Sequence, residues 1–232
     1  MPARPEATAP PLESAPRRLR ADAERNRATL LAAAQEVFAE QGLEAPLEEI
    51  ALRAGVGIAT LYRRFPCREQ LVAAALLDKV AEYAQAAEQA LAAADPWEGF
   101  AGFVRRICSL QAQDRGLGDL LSMALPADAG VEKLRRRAND QVIELVERAK
   151  TAGYLRQEFV GEDLLLLLIA TAAVVHVTRC DAPDAWQRFA ALMLDAFRNP
   201  AGAALPAPPT SNQMARAMRR LAQERGCGAG TG

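Results

Sequence analysis

Apolar residues recur at helical spacing along most of the chain, in segments separated by glycine or proline. The first segment runs from about Ala23 to Gln41, with Asp22 as its N-cap and Gly42 as its stop. The other segments lie at about 47–54, 58–65, 68–93, 96–113, 117–124, 131–152, 162–180 and 183–198. The pattern predicts an all-α protein of about nine helices, with residues 211–225 able to form one more short amphipathic helix.

The second and third segments have the arrangement of a helix-turn-helix. Residues 54–57 (Ala-Gly-Val-Gly) join them, with Gly55 where the chain must turn sharply and Val56 able to fill the angle between the helices. Helical spacing gives the third segment an inward apolar face and an outward polar face. The apolar face is Ile58, Leu61 and Phe65 with Tyr62 at its edge, and the polar face is Ala59, Thr60, Arg63 and Arg64.

This polar face suits the major groove of DNA. Arginine can read guanine bidentately, and threonine can contact a phosphate or a thymine methyl group. Arginines on a helix are equally typical of a solvated surface. Here the helix is short, follows a glycine turn and precedes Arg68, which lies where a helix N-terminus favours an anion. We therefore expect Arg68 to hold a DNA phosphate.

Residues 47–71 resemble the DNA-binding signature of the tetracycline-repressor (TetR) family, and the resemblance covers roughly residues 20–72. Its most specific part is Thr60-Leu-Tyr-Arg-Arg-Phe65, followed by a basic residue. The resemblance implies an all-helical homodimer with an N-terminal DNA-binding domain and a C-terminal domain for ligand binding and dimerisation. It also implies phosphate contacts from Thr60, Tyr62 and Arg68, with Ala59, Arg63 and Arg64 facing bases or backbone.

Two positions depart from the family pattern. Cys67 stands where the family usually has a capping Ser, Asn or Asp, and 57–59 (Gly-Ile-Ala) replaces a more polar opening of the reading helix. A thiol at a helix N-terminus ionises readily. Cys67 therefore motivates an alternative hypothesis, a thiol-based redox regulator on the same scaffold, in which peroxide abolishes DNA binding and Cys67→Ser is immune.

The domain organisation follows from these observations. We expect a disordered arm at 1–16, a helix-turn-helix domain at 17–67, a regulatory and dimerisation domain at 68–198 and a flexible tail at 199–232. A basic stretch before the first helix could reach into the flanking minor groove or serve only as a solubilising tail. Its arginines are Arg17, Arg18 and Arg20.

The C-terminal half supplies weaker signals. Residues 113–117 (Gln-Asp-Arg-Gly-Leu) resemble the subgroup of the family with an SbtR-like regulatory domain. Apolar residues of the last two helices could form a dimer interface or pack within one subunit: Ala170, Ala173, Val174, Val177, Trp186, Phe189, Met193 and Phe197. An effector cavity could be lined by Trp97, Phe100, Phe103, Met123, Leu125 and His176, although the pattern favours an ordinary core or interface role for each of them.

Composition narrows the class of protein. The net charge is −1 and the pI about 6.0, so any basic DNA footprint must be local. Four scattered cysteines and one histidine lack zinc-ligand spacing, and no P-loop or nucleophile elbow is present, so we expect no metal, no cofactor and no enzyme. The N-terminus has no secretory signal, and the apolar stretch 164–177 falls short of the ~18–20 residues of a membrane span. We therefore expect a cytoplasmic regulator, most simply a ligand-responsive repressor, whose partners are an operator in double-stranded DNA, a second copy of itself and an unidentified small molecule, with no membrane.

Overall fold

A computed structural model of the chain describes residues 15–122, 129–198 and 205–224, which form ten α-helices and no strand. The helices are α1 (Ala15–Gln41), α2 (Leu47–Arg53), α3 (Ile58–Arg64), α4 (Arg68–Leu91), α5 (Pro96–Gln113), α6 (Arg115–Ser122), α7 (Ala129–Thr151), α8 (Gly161–Thr178), α9 (Ala185–Arg198) and α10 (Ser211–Glu224). The predicted all-α fold is confirmed. The tenth helix is the one that the sequence left optional in the tail.

Helix α1 is longer than its apolar stripe indicates. The stripe and Asp22 predicted a start near Ala23, but the helix begins at Ala15, and the backbone of Arg17, Arg18 and Arg20 is helical. The prediction that the basic stretch 17–20 precedes the first helix was wrong for the backbone, because apolar periodicity reports only the part of a helix that packs on a core. Of the disordered arm predicted at 1–16, residues 1–14 lie outside the described residues.

Helices α1, α2 and α3 share a core under the helix-turn-helix. Leu30, Phe38, Ile50 and Leu61 are fully buried in it. Gly42 ends α1 at φ +86° and Gly55 turns the chain between α2 and α3 at φ +67°, as the sequence predicted for both glycines.

Helix α4 leads from the small N-terminal domain into the larger C-terminal one, where it packs chiefly against α7 and α5. An aromatic cluster fills the centre of the C-terminal domain. Phe100 contacts Phe159 edge-to-face with ring centroids 5.5 Å apart, and Phe159 contacts Phe197 at 4.9 Å. Trp97 stacks beside Phe100 at 5.9 Å. These rings hold α5 and α9 together.

Helix α8 is only partly covered. Leu164, Leu168 and Thr171 are buried, but Leu166 and Val177 are 43% and 76% exposed. Helix α8 is long and apolar enough to cross a membrane, judged by length and composition alone. Core helices of soluble proteins meet the same criterion.

Candidate functional site

The outward face of α3 is the candidate DNA-reading surface. Ala59, Tyr62, Arg63 and Arg64 are exposed, whereas Leu61 and Phe65 are buried beneath them. The two predicted faces are confirmed for Leu61, Phe65, Ala59, Arg63 and Arg64, whereas Tyr62, predicted at the edge of the apolar face, is exposed, and Thr60, predicted on the polar face, is half-buried. Each contact of this surface with DNA stays a prediction.

One arginine of this surface has a preset orientation. The guanidinium group of Arg63 donates a hydrogen bond to the hydroxyl of Thr60, with Nη2 and Oγ1 2.7 Å apart. Because Thr60 precedes Arg63 by three residues, both side chains lie on the same side of the helix. This hydrogen bond restricts the rotamers of Arg63 in the free protein. The side chain would therefore lose less conformational entropy on contacting a base.

Arg68 has partners inside the protein. Its Nη1 donates to the backbone carbonyls of Leu43 and Ala45, both at 2.8 Å. The side chain thereby ties the start of α4 to the loop between α1 and α2. No local sequence pattern indicates this role, because the two carbonyls lie 25 and 23 residues away. The observed hydrogen bonds of Arg68 are to the protein backbone, and its contact with a DNA phosphate remains a prediction.

Cys67 is half-buried at the N-cap of α4, and its side chain makes no capping hydrogen bond. Cys67, Cys108 and Cys180 are free cysteines. Cys108 is buried against the hydroxyl of Thr171, and burial raises the pKa of its thiol, so that it stays protonated. The thiol-switch hypothesis for Cys67 stays a prediction.

A cavity of about 630 Å³ lies in the C-terminal domain between α4, α6, α7, α8 and α10. This volume is in the usual range for sites that bind small molecules. Its walls are mainly apolar, with Leu117, Leu120 and Leu121 from α6 and Leu164, Leu165 and Leu168 from α8.

The polar residues of the cavity are concentrated on α4 and α7. Lys150 is paired with Glu147 at 3.1 Å. Arg135 has no carboxylate partner in the part of the chain that the structure describes, and its charge acts on Tyr83. Burial raises the pKa of Tyr83 to about 12, against a smaller lowering by Arg135, so the phenol stays protonated and able to donate. Arg135 and Tyr83 therefore offer two donors to a ligand.

The residues predicted to line a ligand site do not line this cavity. Trp97, Phe100 and Phe103 are buried in the core instead, because their helical spacing reports the inner face of α5. His176 is exposed near the end of α8. Met123 and Leu125 lie outside the described residues.

The predicted dimer residues divide into two sets. On α8, Ala173 and Val177 are exposed and Ala170 and Val174 half-buried. On α9, the four aromatic and methionine side chains are half-buried against their own subunit's core: Trp186, Phe189, Met193 and Phe197. The sequence missed Leu166 and Leu192, which are 43% and 54% exposed. Leu166, Ala170, Ala173 and Val177 form one stripe on α8.

Helix α6 connects the cavity to the helix-turn-helix. Its carboxylate Asp119 accepts a hydrogen bond from the backbone N–H of Leu43 at 2.9 Å. Near its start, Gly116 packs so closely on α1 that an added Cβ would lie 3.1 Å from the carbonyl oxygen of Phe38. Asp114 caps the helix, accepting from the N–H of Leu117 at 3.0 Å. Sequence reasoning missed these residues, since their partners come from distant segments.

No group of three or more His, Cys, Asp or Glu side chains placed to hold a metal ion occurs within residues 24–121, 131–198 and the described tail. The described residues combine a basic face on α3 in the N-terminal domain with an apolar cavity in the C-terminal domain. Helix α6 contacts both domains.

Comparison with known proteins gives matches in both domains. Residues 30–75 match the family model of bacterial regulatory proteins of the TetR family, and residues 95–199 match that of the SbtR-like C-terminal domain of transcriptional regulators. A solved TetR transcriptional regulator from Streptomyces coelicolor is 33% identical, covering 75% of this chain and 99% of its own, with a TM-score of 0.47. The curated proteins gave no match.

Two further solved structures contain ligands. RolR in complex with resorcinol is 27% identical, covering 80% of this chain and 97% of its own, with a TM-score of 0.50. FadR from Bacillus subtilis in complex with stearoyl-CoA is 16% identical, covering 75% and 99%, with a TM-score of 0.56, and shares the fold.

Proposed function

Because this chain belongs to the TetR family of transcriptional regulators and has an SbtR-like C-terminal domain, we propose that it is a ligand-responsive repressor that binds a palindromic operator as a homodimer. One observation carries the ligand-responsive part of the proposal. Helix α6 supplies Leu117, Leu120 and Leu121 to the cavity wall, and through Asp119 it bonds the loop between α1 and α2.

Sequence-specific binding rests on the outward face of α3. In each subunit the helix enters a major groove, with Arg63 and Arg64 directed at base edges and Thr60 and Tyr62 at the backbone. Two copies related by a twofold axis then read two half-sites of opposite orientation, which makes the operator palindromic.

The dimer interface is built on the apolar stripe of α8. Leu166 and Val177 would be costly to leave in water, and the stripe is self-complementary about a twofold axis. Leu192 on the neighbouring α9 extends the same surface. The half-buried aromatic residues of α9 support this interface from within their own subunit.

The effector is an apolar molecule with a hydrogen-bond acceptor at one end. The leucine-rich walls bury its body, and the Arg135 guanidinium and the Tyr83 hydroxyl receive the acceptor. RolR, with resorcinol bound, is a similar protein that takes a small molecule. A ligand that pushes α6 away from α8 would move Asp119 and, with it, the helix-turn-helix. The distance between the two helix-turn-helices of the dimer would then no longer fit the operator. Like other regulators that act on DNA through small molecules, the protein would work in the cytoplasm.

Selection of bound DNA from a random pool by the purified protein, at two salt concentrations, tests the DNA-binding part. A palindromic consensus that persists at the higher salt is expected, since base contacts are less sensitive to salt than phosphate contacts. Enrichment of no sequence, with only weak and salt-sensitive binding, would contradict the proposal.

A further inference from the structure

The last described helix, α10, lies against the cavity. Ser211, Met214, Ala215 and Met218 form part of its lining. Helix α10 begins beyond residue 199, where the match to the SbtR-like C-terminal domain ends. It therefore lies outside the matched segment, against the cavity that the proposed function assigns to the effector.

The docking of α10 uses one face of the helix. Met214 is 8% exposed and Leu221 is packed on the core, whereas Arg216, Arg219 and Arg220 are exposed to solvent. This division is that of a surface helix with one apolar stripe. The apolar stripe, with Leu221 against the main core, therefore holds the helix in place.

The start of α10 is fixed in two ways. Thr210 and Gln213 bond reciprocally, with the N–H of Thr210 donating to Gln213 Oε1 at 2.8 Å and the N–H of Gln213 donating to Thr210 Oγ1 at 3.3 Å. This capping box sets the first residue of the helix. The hydroxyl of Ser211 then donates to the carboxylate of Glu162, at the first turn of α8. These bonds place Met214 and Met218 over the cavity.

Helix α10 forms one wall of the cavity without filling it. About 630 Å³ remains between α10 and the walls supplied by α4, α6, α7 and α8. A helix that acted as an internal plug would leave no such volume. Unbranched methionine side chains adapt to irregular apolar surfaces, which suits a wall that must fit a bound molecule.

We propose that α10 is a lid that completes the effector site, with Met214 and Met218 as ligand-contacting residues for an apolar acid whose acidic group lies at Arg135 and Tyr83. This proposal rests on the proposed function for the identity of the cavity. A ligand beneath the lid gains contact with the two thioethers, so its binding and the docking of α10 stabilise each other. Ligand binding thereby keeps α10 docked and protects it from proteolytic cleavage.

The test uses full-length protein and 8-anilinonaphthalene-1-sulfonate, an aromatic acid whose fluorescence reports binding. Affinity is measured for wild type, for the double variant Met214→Ser with Met218→Ser, and for Arg219→Ser, a matched change on the exposed side of α10. We expect the double variant to bind about tenfold more weakly and Arg219→Ser to bind like wild type. Circular dichroism and Tm check that each variant is folded.

Trypsin cleavage at the exposed arginines of α10 gives a second readout. The probe is expected to slow cleavage in wild type and not in the double variant. Either equal probe affinity in all three proteins or tighter binding by the double variant would overturn the lid. Faster cleavage of the wild type with probe, or no binding of the probe by the wild type, would also overturn it. Operator selection is independent of these results, so a failure to enrich DNA would overturn the DNA-binding part of the proposed function without testing ligand binding under α10.

Discussion

Asp119 accepts a hydrogen bond from the backbone N–H of Leu43 at 2.9 Å and thereby joins α6 to the loop that begins the helix-turn-helix. The neighbouring Gly42 keeps this approach open, since a Cβ there would lie 2.5 Å from Asp119 Oδ2. The same loop is held from the other side by Arg68, which bonds the carbonyls of Leu43 and Ala45. We therefore expect a movement of α6 to be passed to the DNA-binding domain through this loop.

Replacing Asp119 with alanine is expected to separate ligand binding from the DNA response. The cavity wall is retained, so a cavity ligand should raise Tm as in wild type, but its effect on operator affinity should fall several-fold. Asp119→Asn, which keeps an acceptor oxygen, is the control and should respond nearly as wild type does. An unchanged ligand effect in Asp119→Ala would show that coupling runs by another route.

Replacing Gly116 with alanine is expected to destabilise the contact between α6 and α1. The new Cβ would lie 3.1 Å from both the Cβ and the carbonyl oxygen of Phe38, so one helix must shift, at a cost of about 1–3 kcal/mol in the free energy of unfolding. Gly118→Ala on the same helix is the control, because its Cβ would meet nothing closer than 3.8 Å. Denaturant unfolding of both variants measures the difference. Equal stabilities would refute the close contact.

Replacing Arg63 with alanine is expected to weaken specific binding by about 1–3 kcal/mol if Arg63 reads a base, and to relax the sequence preference at one position of each half-site. Arg64→Ala is expected to act in the same way. Repeated selection from a random pool measures the preference. Wild-type affinity and preference in both variants would refute the proposed docking of α3.

These two arginines show what the sequence predicts well. The spacing of Ile58, Leu61 and Phe65 determines which side of α3 is buried, and the opposite side follows from helix geometry alone. The same local reasoning predicted the turns at Gly42 and Gly55, because each needs a positive φ that glycine adopts without strain.

The cavity could not be predicted in this way. Its walls come from α4, α6, α7, α8 and α10, which meet only in the folded domain. The sequence left Trp97 and Phe100 open between a cavity role and a core role, because an apolar side chain alone does not distinguish the two. The bond from Leu43 to Asp119 spans 76 residues and leaves no local pattern.

Replacing Val177 with glutamate is expected to dissociate the dimer. Val177 is 76% exposed in one subunit, and a carboxylate at that position would be buried without a partner in the proposed interface. Leu77→Glu on α4, where the leucine is 40% exposed, is the control and should leave the dimer intact. Sedimentation velocity measures the oligomeric state. A dimeric Val177→Glu protein would place the interface elsewhere.

The phenol of Tyr83 is expected to make stability depend on pH in the alkaline range. Its pKa is raised to about 12 in the folded protein from 10.0, so the folded state holds the proton more tightly. The resulting stabilisation is complete below pH 10 and is lost as the pH rises toward 12, by about 2 kcal/mol. Unfolding free energies measured from about one pH unit below the ordinary pKa of 10.0 up to about pH 12 should fall less steeply in Tyr83→Phe. Identical pH profiles would contradict the assignment.

The most direct test of the account is the operator affinity of the wild-type protein with and without a ligand of the cavity. The ligand is a compound that raises the Tm of the wild-type protein but not that of Leu168→Trp, in which the tryptophan fills the cavity. It is added at saturation to wild-type protein bound to the selected operator. The account predicts that affinity falls at least about tenfold, a coupling free energy of about 1.4 kcal/mol. An unchanged operator affinity with the cavity occupied would contradict it.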